Sequence, residues 1–292
     1  MKNNYLLIPL TIFAISCSNG NDKSDAYGNF EAVEIIVSAE AQGKILQFNL
    51  EEGNKLNKKQ SVGYIDTIPL YLKKQQLIAQ LESAAAKLIQ VGSQIKVQEE
   101  QKITLMRDQD RFSKLVNANA APSKQLDDIN GQLNILNSQV LSTRTQNQSI
   151  AGEIKAIKYQ VAQVEDQIIK SIISNPVNGT VLEKYIEPGE IAIPGKSLYK
   201  IADLSILKLR VYISGVQLPN IKIGQKVKVF IDKNESNNRQ LEGSVSWISQ
   251  QAEFTPKIIQ TKDERVNLVY AIKVNVPNDG SLKIGMPGEV KF

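Results

Sequence analysis

The feature that most constrains the fold is a duplication whose two copies lie far apart in the chain. Residues 36–65 align with residues 172–201 without a gap, at a constant offset of 136 positions. Each copy alternates apolar and polar residues around a glycine turn, a pattern that indicates short strands. The matched positions pair Gly43 with Gly179, Ile45 with Val181, Gly53 with Gly189, Val62 with Leu198 and Ile65 with Ile201.

Two such copies predict one small β-module, with halves at residues 31–67 and 172–202. About a hundred residues separate them, so the chain leaves the module and later returns to it. We expect four glycines to form the structural turns of this module, namely Gly43, Gly53, Gly179 and Gly189.

The insertion, residues 68–171, has the pattern of a long antiparallel α-hairpin. Apolar residues recur every 3.5 positions along two arms, which is the coiled-coil signal. A turn at residues 117–122 joins the arms, and at 1.5 Å per residue each arm reaches roughly 70 Å. Polar residues occupy the middle of the apolar seam, where we interpret them either as fixing the register or as simply tolerated: Gln98, Lys102, Thr143 and Asn147.

Residues 203–292 return to strand patterns. Several short strands with Gly-rich and Asn-rich turns indicate a small β-barrel or sandwich, and we expect the barrel. We also expect Trp247 to pack in its core. The predicted fold class is therefore mixed α and β and elongated: a split β-module flanking a coiled-coil hairpin, followed by a β-barrel.

Composition argues against most catalytic chemistry. The chain has no His and a single Cys, which excludes the common zinc sites, Ser-His and Cys-His catalysis, and an internal disulfide. Its carboxylate pairs fall on predicted turns and solvated helix faces, where burial does not shift their pKa. The formal charge of +5 is scattered rather than clustered, so no nucleic-acid partner is expected. We predict neither an enzyme nor a cofactor.

The N-terminal residues have the pattern of an export signal. Residues 1–16 carry one Lys and an apolar stretch too short to cross a membrane, followed by small residues before Cys17. This pattern resembles a bacterial lipoprotein processing site, which makes Cys17 the lipid attachment site and residues 17–30 a tether. The alternative is a plain signal peptide with a chance Cys. In the first case the protein is held in the cell envelope by a lipid anchor.

The β-module resembles the biotinyl/lipoyl carrier fold, in which two quasi-symmetric halves meet at a tight turn that bears the modified Lys. Here the corresponding junction is residues 66–69, and the hairpin is inserted there. Lys73 and Lys74 follow, inside the predicted helix. A carrier needs its Lys at an exposed hairpin tip, so the carrier function is a minor alternative.

The four-part order, with its lipoprotein signal, resembles the HlyD-type membrane fusion proteins. The resemblance covers nearly the whole mature chain and is most specific at VSAEAQGKILQFNLEEGNKLNKKQ, PVNGTVLEKYIEPGEIAIPG, AEFTPKIIQTKDERVNLVYAIKV and LKIGMPGEV. It implies a periplasmic adaptor, a homo-oligomer and by family a hexamer, that links an inner-membrane transporter to a TolC-like outer-membrane channel. The inner membrane is the favoured site of anchoring.

The hairpin tip, RFSKLVNANAAPSKQLDD, resembles the family's channel-docking pattern Arg-x3-Leu-x6-Ser. Arg111 and Leu115 match, whereas the Ser position holds Pro122 and Ser123 follows one residue later. The resemblance implies that Arg111 and Leu115 contact the channel. Two roles are predicted for Ser123: it contacts the channel, or it caps the second helix.

The partner class rests on where the sequence stops, at Phe292 soon after GMPG. Adaptors of RND pumps continue into a membrane-proximal domain, so the shorter chain favours an ABC exporter over an RND pump. The alternative of another class is a coiled-coil scaffold lipoprotein of the envelope with no transport role. The exported substrate is not encoded in any motif.

Overall fold

The computed structural model describes residues 24–234, 237–254 and 268–292. The predicted signal segment, Cys17 and the first part of the predicted tether lie outside these residues. The chain divides into two compact units, one formed by residues 34–202 and the other by residues up to 33 together with 203–292. Among the described residues, neither long helix contains the apolar stretch that a membrane span requires.

The regular elements follow one another in the order that the duplication predicts. The helices are α1 (Ile68–Asn117) and α2 (Ser123–Lys170). The strands are β1 (Ala26–Glu31), β2 (Glu34–Ser38), β3 (Gly43–Phe48), β4 (Lys55–Leu56), β5 (Ser61–Ile65), β6 (Ile172–Ser174), β7 (Gly179–Lys184), β8 (Ile191–Ala192), β9 (Ser197–Ala202), β10 (Ile206–Ser214), β11 (Lys226–Asn234), β12 (Asn237–Ile248), β13 (Glu253–Phe254), β14 (Leu268–Pro277) and β15 (Pro287–Lys291).

The first unit contains the split β-module, and its two halves exchange strands. One sheet has the order β2-β9-β7-β4 and the other β6-β5-β3-β8. Gly43 pairs with Ala192, and the equivalent pairing 136 residues away joins Gly179 to Leu56. The predicted duplication is therefore confirmed as a pseudo-two-fold repeat in which each half completes the sheet of the other.

The core of this module draws on both halves equally. Leu50 and its counterpart Ile186 are both fully buried, as are Ile65 and Ile201. All the residues of this core lie on the β side of the module, because none belongs to α1 or α2. The module thus has a hydrophobic core of its own, independent of the hairpin.

The four glycines fall into two kinds of position. Gly53 and Gly189 lie in turns with φ of 86° and 97°, where other residues are strained. Gly43 and Gly179 instead begin β3 and β7, so the expectation that they form turns is wrong. They are needed for close approach: a Cβ on Gly179 would lie 2.6 Å from the backbone oxygen of Ala202.

The hairpin confirms the predicted coiled-coil seam. α1 has 50 residues and α2 has 48, so α1 is about 75 Å long. The most buried seam positions follow the predicted spacing, namely Leu77, Ala84 and Val91 on α1 and Leu133, Leu136, Val140, Thr143, Ile157 and Val164 on α2. An ion pair between Lys74 and Glu165, at 2.8 Å, joins the helices near the module.

The described residues of the second unit form a closed antiparallel barrel of six strands, with the short strand β13 paired to β14 beside it. The six strands have the order β10-β1-β15-β11-β12-β14, and β14 pairs with β10 to close the ring. β1 supplies one strand, although the sequence assigned residues 17–30 to a tether and began the first half-module at residue 31. That assignment is wrong for residues 26–31, because β1 pairs with β10 on one side and β15 on the other and so removes two free edges. Residues 32 and 33 also belong to the barrel unit.

Trp247 also differs from expectation. Its side chain is 40% exposed, and the Lys273 ammonium lies 5.3 Å from the ring centroid. The cause is a β-bulge: Val245 pairs with Val274 and Trp247 with Lys273, so one extra residue in β12 rotates Trp247 to the outer face. The prediction that Trp247 packs in the core is wrong.

Candidate functional site: the hairpin tip

The turn between the helices is built as a defined C-cap. Asn119 has φ 56°, its N–H donates to the carbonyl of Val116 at 2.9 Å, and the Ala120 N–H donates to the carbonyl of Leu115 at 2.8 Å. This is the Schellman arrangement, with Asn in the left-handed position that usually holds Gly. The tip therefore has one backbone geometry rather than a loose loop.

Arg111 lies on α1 two turns before this cap. Its Nη2 donates to Asp108 Oδ1 at 2.9 Å, and its guanidinium carbon lies 5.4 Å from the centroid of the Phe112 ring. The side chain is still 65% exposed, so the contact with Asp108 orients the guanidinium without burying it. The remaining donors of Arg111 can reach a partner surface.

Leu115 lies one turn closer to the tip than Arg111. Its four-residue spacing from Arg111 places the two side chains on the same face of α1. Leu115 is 39% exposed, less than other exposed apolar residues of the hairpin such as Leu141 at 67%, but enough to reach a partner surface. The pair thus presents one cation and one apolar side chain side by side.

Ser123 is the first residue of α2 and is exposed. The N-cap is Pro122, in extended conformation, and no side-chain hydrogen bond caps the helix. The reading of Ser123 as the helix cap is therefore wrong. Ser123 is exposed to solvent at the end of the hairpin opposite to the module.

The base of the tip is tied together by a polar contact between the helices. Gln109 Nε2 donates to Asn130 Oδ1 at 2.7 Å, and Lys114 pairs with Asp110 at 2.7 Å on the outer surface. Sequence reasoning singled out Arg111 and Leu115 but missed Asp108 and Asn119. The spacing of Asp108 from Arg111, and an Asn just past the end of a helix shortly before a Pro, are signals that could have found them.

The junction at which the first half of the β-module ends is occupied by the start of the hairpin. The backbone of Ile68 donates to Asp66 Oδ1 at 2.9 Å, where β5 passes into α1. Lys73 and Lys74 both lie within α1, and Lys74 is engaged by Glu165. Neither Lys lies on a tight turn between strands, which is what a swinging arm requires.

Comparison with known proteins identifies similar chains but no established family. No protein-family model matches the sequence. The UPF0194 membrane protein of Yersinia pseudotuberculosis is 26% identical over 298 residues, covering 93% of this chain and 90% of that protein. The UPF0194 membrane protein YbhG of Salmonella gallinarum is 24% identical over 315 residues, an alignment that covers 94% of this chain and 90% of that protein.

A solved structure shows the same fold. The crystal structure of MacA from Actinobacillus actinomycetemcomitans superposes with a TM-score of 0.58 and 20% identity, covering 91% of this chain and 76% of that one. The fold of this chain is that of MacA. The predicted fold class, a long helical hairpin with β-sheet and β-barrel parts, is therefore confirmed.

Proposed function

We propose that this protein is a periplasmic adaptor of the membrane fusion type, which links an inner-membrane exporter to an outer-membrane channel. The observation that carries the proposal is the hairpin of 50 and 48 residues inserted at the junction of a complete β-module. The module needs no helix for its core. A helix pair that contributes nothing to the core of the module and extends about 75 Å serves to reach something distant.

The chemistry of the tip supports a docking role. Arg111 and Leu115 form an exposed cation–apolar pair beside a turn of fixed geometry. Such a pair suits a protein surface that offers carboxylates or carbonyl oxygens next to an apolar groove. The proposed partner is a TolC-like outer-membrane channel, with Ser123 as a further contact.

The lipid anchor at Cys17 is the second part of the proposal. Cys17 precedes the first barrel strand, at Ala26, by nine residues, which span at most about 30 Å when extended. A lipidated Cys17 would therefore hold the barrel close to a membrane. The inner membrane is the proposed location, where the barrel would meet the transporter.

The transporter partner is proposed to be an ABC exporter, with an RND pump as the second candidate. A single hairpin encloses no channel, so conduction requires several copies, and a hexamer is proposed from the family resemblance. Co-purification under gentle solubilisation tests the partner class. Recovery of an ATP-binding subunit would support the ABC assignment. Recovery of a large proton-driven pump would contradict it and favour the RND assignment.

Tip variants in the native cell test the docking role. Arg111→Asp and Leu115→Ser should abolish export and channel cross-linking, because they reverse the charge and remove the apolar contact. Matched controls are Lys87→Asp and Leu141→Ser, which change an exposed cationic residue and an exposed Leu far from the tip. Protein abundance and helix content should be unchanged in all four.

The same experiment separates the adaptor from its alternatives. Normal export with both tip variants would favour the envelope scaffold lipoprotein. Intact mass decides the other two points: acyl groups on Cys17 support the anchor, and a lipoyl or biotinyl group on Lys would support the carrier. We propose no catalytic role.

A further inference from the structure

The outer face of the barrel carries a cavity that the adaptor proposal does not use. It lies across β10, β1, β15 and β11 and has a volume of about 450 Å³. Such a volume is in the range of small-molecule sites. Gly28 and Gly288, which face each other across β1 and β15, contribute only backbone to its lining. Its aromatic and acidic lining consists of Tyr27, Tyr212, Phe230, Glu31, Asp232 and Glu289.

The cavity has a surplus of negative charge. Glu31, Asp232 and Glu289 all line it, and Arg210 is the one cation of the lining. Arg210 is already neutralised, because its Nη2 lies 3.1 and 2.9 Å from the two carboxylate oxygens of Glu253. Glu31 lies within electrostatic reach of cations, because it acts on Arg210 through its charge and lies opposite Lys208 in the β1–β10 register. Asp232 and Glu289 add negative charge on the other side of the cavity.

The three carboxylates do not converge on a point. Among the described residues, no group of three acidic, His or Cys side chains could hold a metal ion. The charge is instead spread along the walls of the cavity. This arrangement suits a cation whose charge is diffuse or carried by a bulky group, because such a cation needs no tight coordination shell.

Aromatic rings form the rest of the wall. Tyr27 and Tyr212 are direct cross-strand neighbours on β1 and β10, and Phe230 lies opposite Glu289 on β11 and β15. Tyr27 is 56% exposed, whereas the Tyr212 ring already has the Arg210 guanidinium carbon 5.6 Å from its centroid, so Tyr27 offers the more accessible ring face. Ring faces beside carboxylates attract organic cations through the ring quadrupole and the negative charge together.

We propose that this cavity is a binding site for small organic cations that carry an aromatic or other apolar group. The rings would cover the apolar part, while Glu31, Asp232 and Glu289 would surround the positive charge. The site is separate from the hairpin tip, so it stands whether or not the adaptor function is correct.

Binding of benzyltrimethylammonium to the purified full-length protein tests the proposal. Calorimetry or amide NMR shifts should show saturable binding that weakens with added salt, and the shifts should concentrate at Tyr27, Asn29 and Tyr212. Benzyl alcohol, which is neutral, should bind at least about tenfold more weakly.

Charge and ring variants locate the site. Glu31→Gln combined with Asp232→Asn should weaken binding roughly tenfold, and Tyr27→Leu roughly threefold. The controls are Glu242→Gln, on the outer face of β12, and Tyr159→Leu, on α2, which should leave binding unchanged. Circular dichroism spectra that match the unaltered protein establish that each variant is folded.

Four results would overturn the proposal. One is no saturable binding of the cation, and a second is equal binding of benzyl alcohol. The third is that a short Lys- and Phe-containing peptide binds at least tenfold more tightly than benzyltrimethylammonium, because the cavity would then be a docking groove for a protein segment. Unchanged affinity in the Glu31 and Asp232 double variant would also contradict it.

Discussion

At the scale of single residues, Lys59 has a strained backbone conformation that its counterpart in the second copy of the repeat avoids. Its φ is 67°, and its counterpart in the second copy is Gly195, with φ 88°. The local hydrogen bonds are equivalent too: the Lys59 N–H donates to Asn175 and the Gly195 N–H donates to Ala39. The two copies have kept the same backbone turn, but only the second has the residue that adopts it without strain.

Lys59→Gly should therefore stabilise the protein by about 0.5–1 kcal/mol. The variant removes a left-handed conformation that costs a side-chain-bearing residue about 1–2 kcal/mol, offset in part by the greater entropy of Gly in the unfolded chain. Urea unfolding measures the change. Lys58→Gly is the control and should destabilise, since Lys58 has no positive φ; equal losses from both would contradict the argument.

Tyr199 is a second position at which the two copies of the repeat differ. It is fully buried, and its hydroxyl donates to Asn175 Oδ1 at 3.1 Å. Asn175 is buried as well, with its amide bound to the Asn57 carbonyl at 2.9 Å. The equivalent positions in the first copy are Gly63 and Ala39, so one half of the core is polar and hydrogen-bonded where the other half is small and apolar.

Burial raises the pKa of the Tyr199 hydroxyl above its ordinary value of 10.0. The folded state therefore keeps this proton at pH values where the unfolded chain loses it, so the contribution is complete below pH 10 and falls as the pH rises further. Tyr199→Phe should cost about 1–2 kcal/mol at pH 7, because it leaves the Asn175 oxygen unpaired.

The same variant should also flatten the loss of stability above pH 10. Urea unfolding at pH 7, 9, 10 and 11 measures both effects. Tyr64→Phe, at a half-exposed ring, is the matched control and should show neither. A pH profile identical to that of the unaltered protein would contradict the role of Tyr199.

At the scale of elements, the hairpin seam combines apolar packing with a polar centre. Asn147 Nδ2 donates across the hairpin to the Leu88 carbonyl at 3.3 Å, close to Gly92. Thr143 bonds back to the Gln139 carbonyl at 2.9 Å, and Gln98 has a buried side-chain oxygen without a protein partner. Polar seam positions of this kind define a register at some cost in stability.

Asn147→Leu should raise stability by about 1 kcal/mol and loosen the register. Engineered cysteines at positions 109 and 130, which face each other in the native register, report on alignment in a Cys17→Ser background. Their oxidation should become slower and less complete in the variant. Gln148→Leu, at an exposed neighbouring position, is the control; unchanged cross-linking in Asn147→Leu would mean that the register is fixed elsewhere.

At the scale of the whole molecule, the sequence predicts those parts of the fold that depend on local periodicity. The seam positions and the glycine turns at Gly53 and Gly189 follow from spacing alone. β1 could not be assigned in this way, because its partners lie about 180 and 260 residues further along the chain. The prediction for Trp247 was wrong for a related reason. A bulge changes the face of the sheet on which a residue lies, and it leaves no periodic signal in the sequence.

The two candidate sites also differ in how far the sequence could indicate them. Arg111 and Leu115 were found through a linear pattern at the tip, whereas the barrel cavity takes its lining from four strands that only the closed ring brings together. A sequence pattern can indicate a site on one helix. It cannot indicate one whose residues become neighbours through long-range pairing.

The separation of module and hairpin leads to a prediction about the whole molecule. β5 and β6 are neighbours, with Tyr64 opposite Ile172 and the Ile65 N–H donating to the Ser171 carbonyl at 2.9 Å. Replacing residues 66–170 by Asn-Gly should therefore join β5 to β6 as an ordinary two-residue β-hairpin. The core of the module loses no residue, because it contains none from the helices.

The shortened chain should fold cooperatively, with the helical signal in circular dichroism removed and dispersed β-sheet amide resonances retained. In cells it should be stable but inactive in export, because the module and barrel would remain while the reach of about 75 Å is lost. A chain that aggregates or shows no cooperative unfolding would mean that the helices are needed for the module to form. Export by the shortened chain would contradict the proposed adaptor function directly.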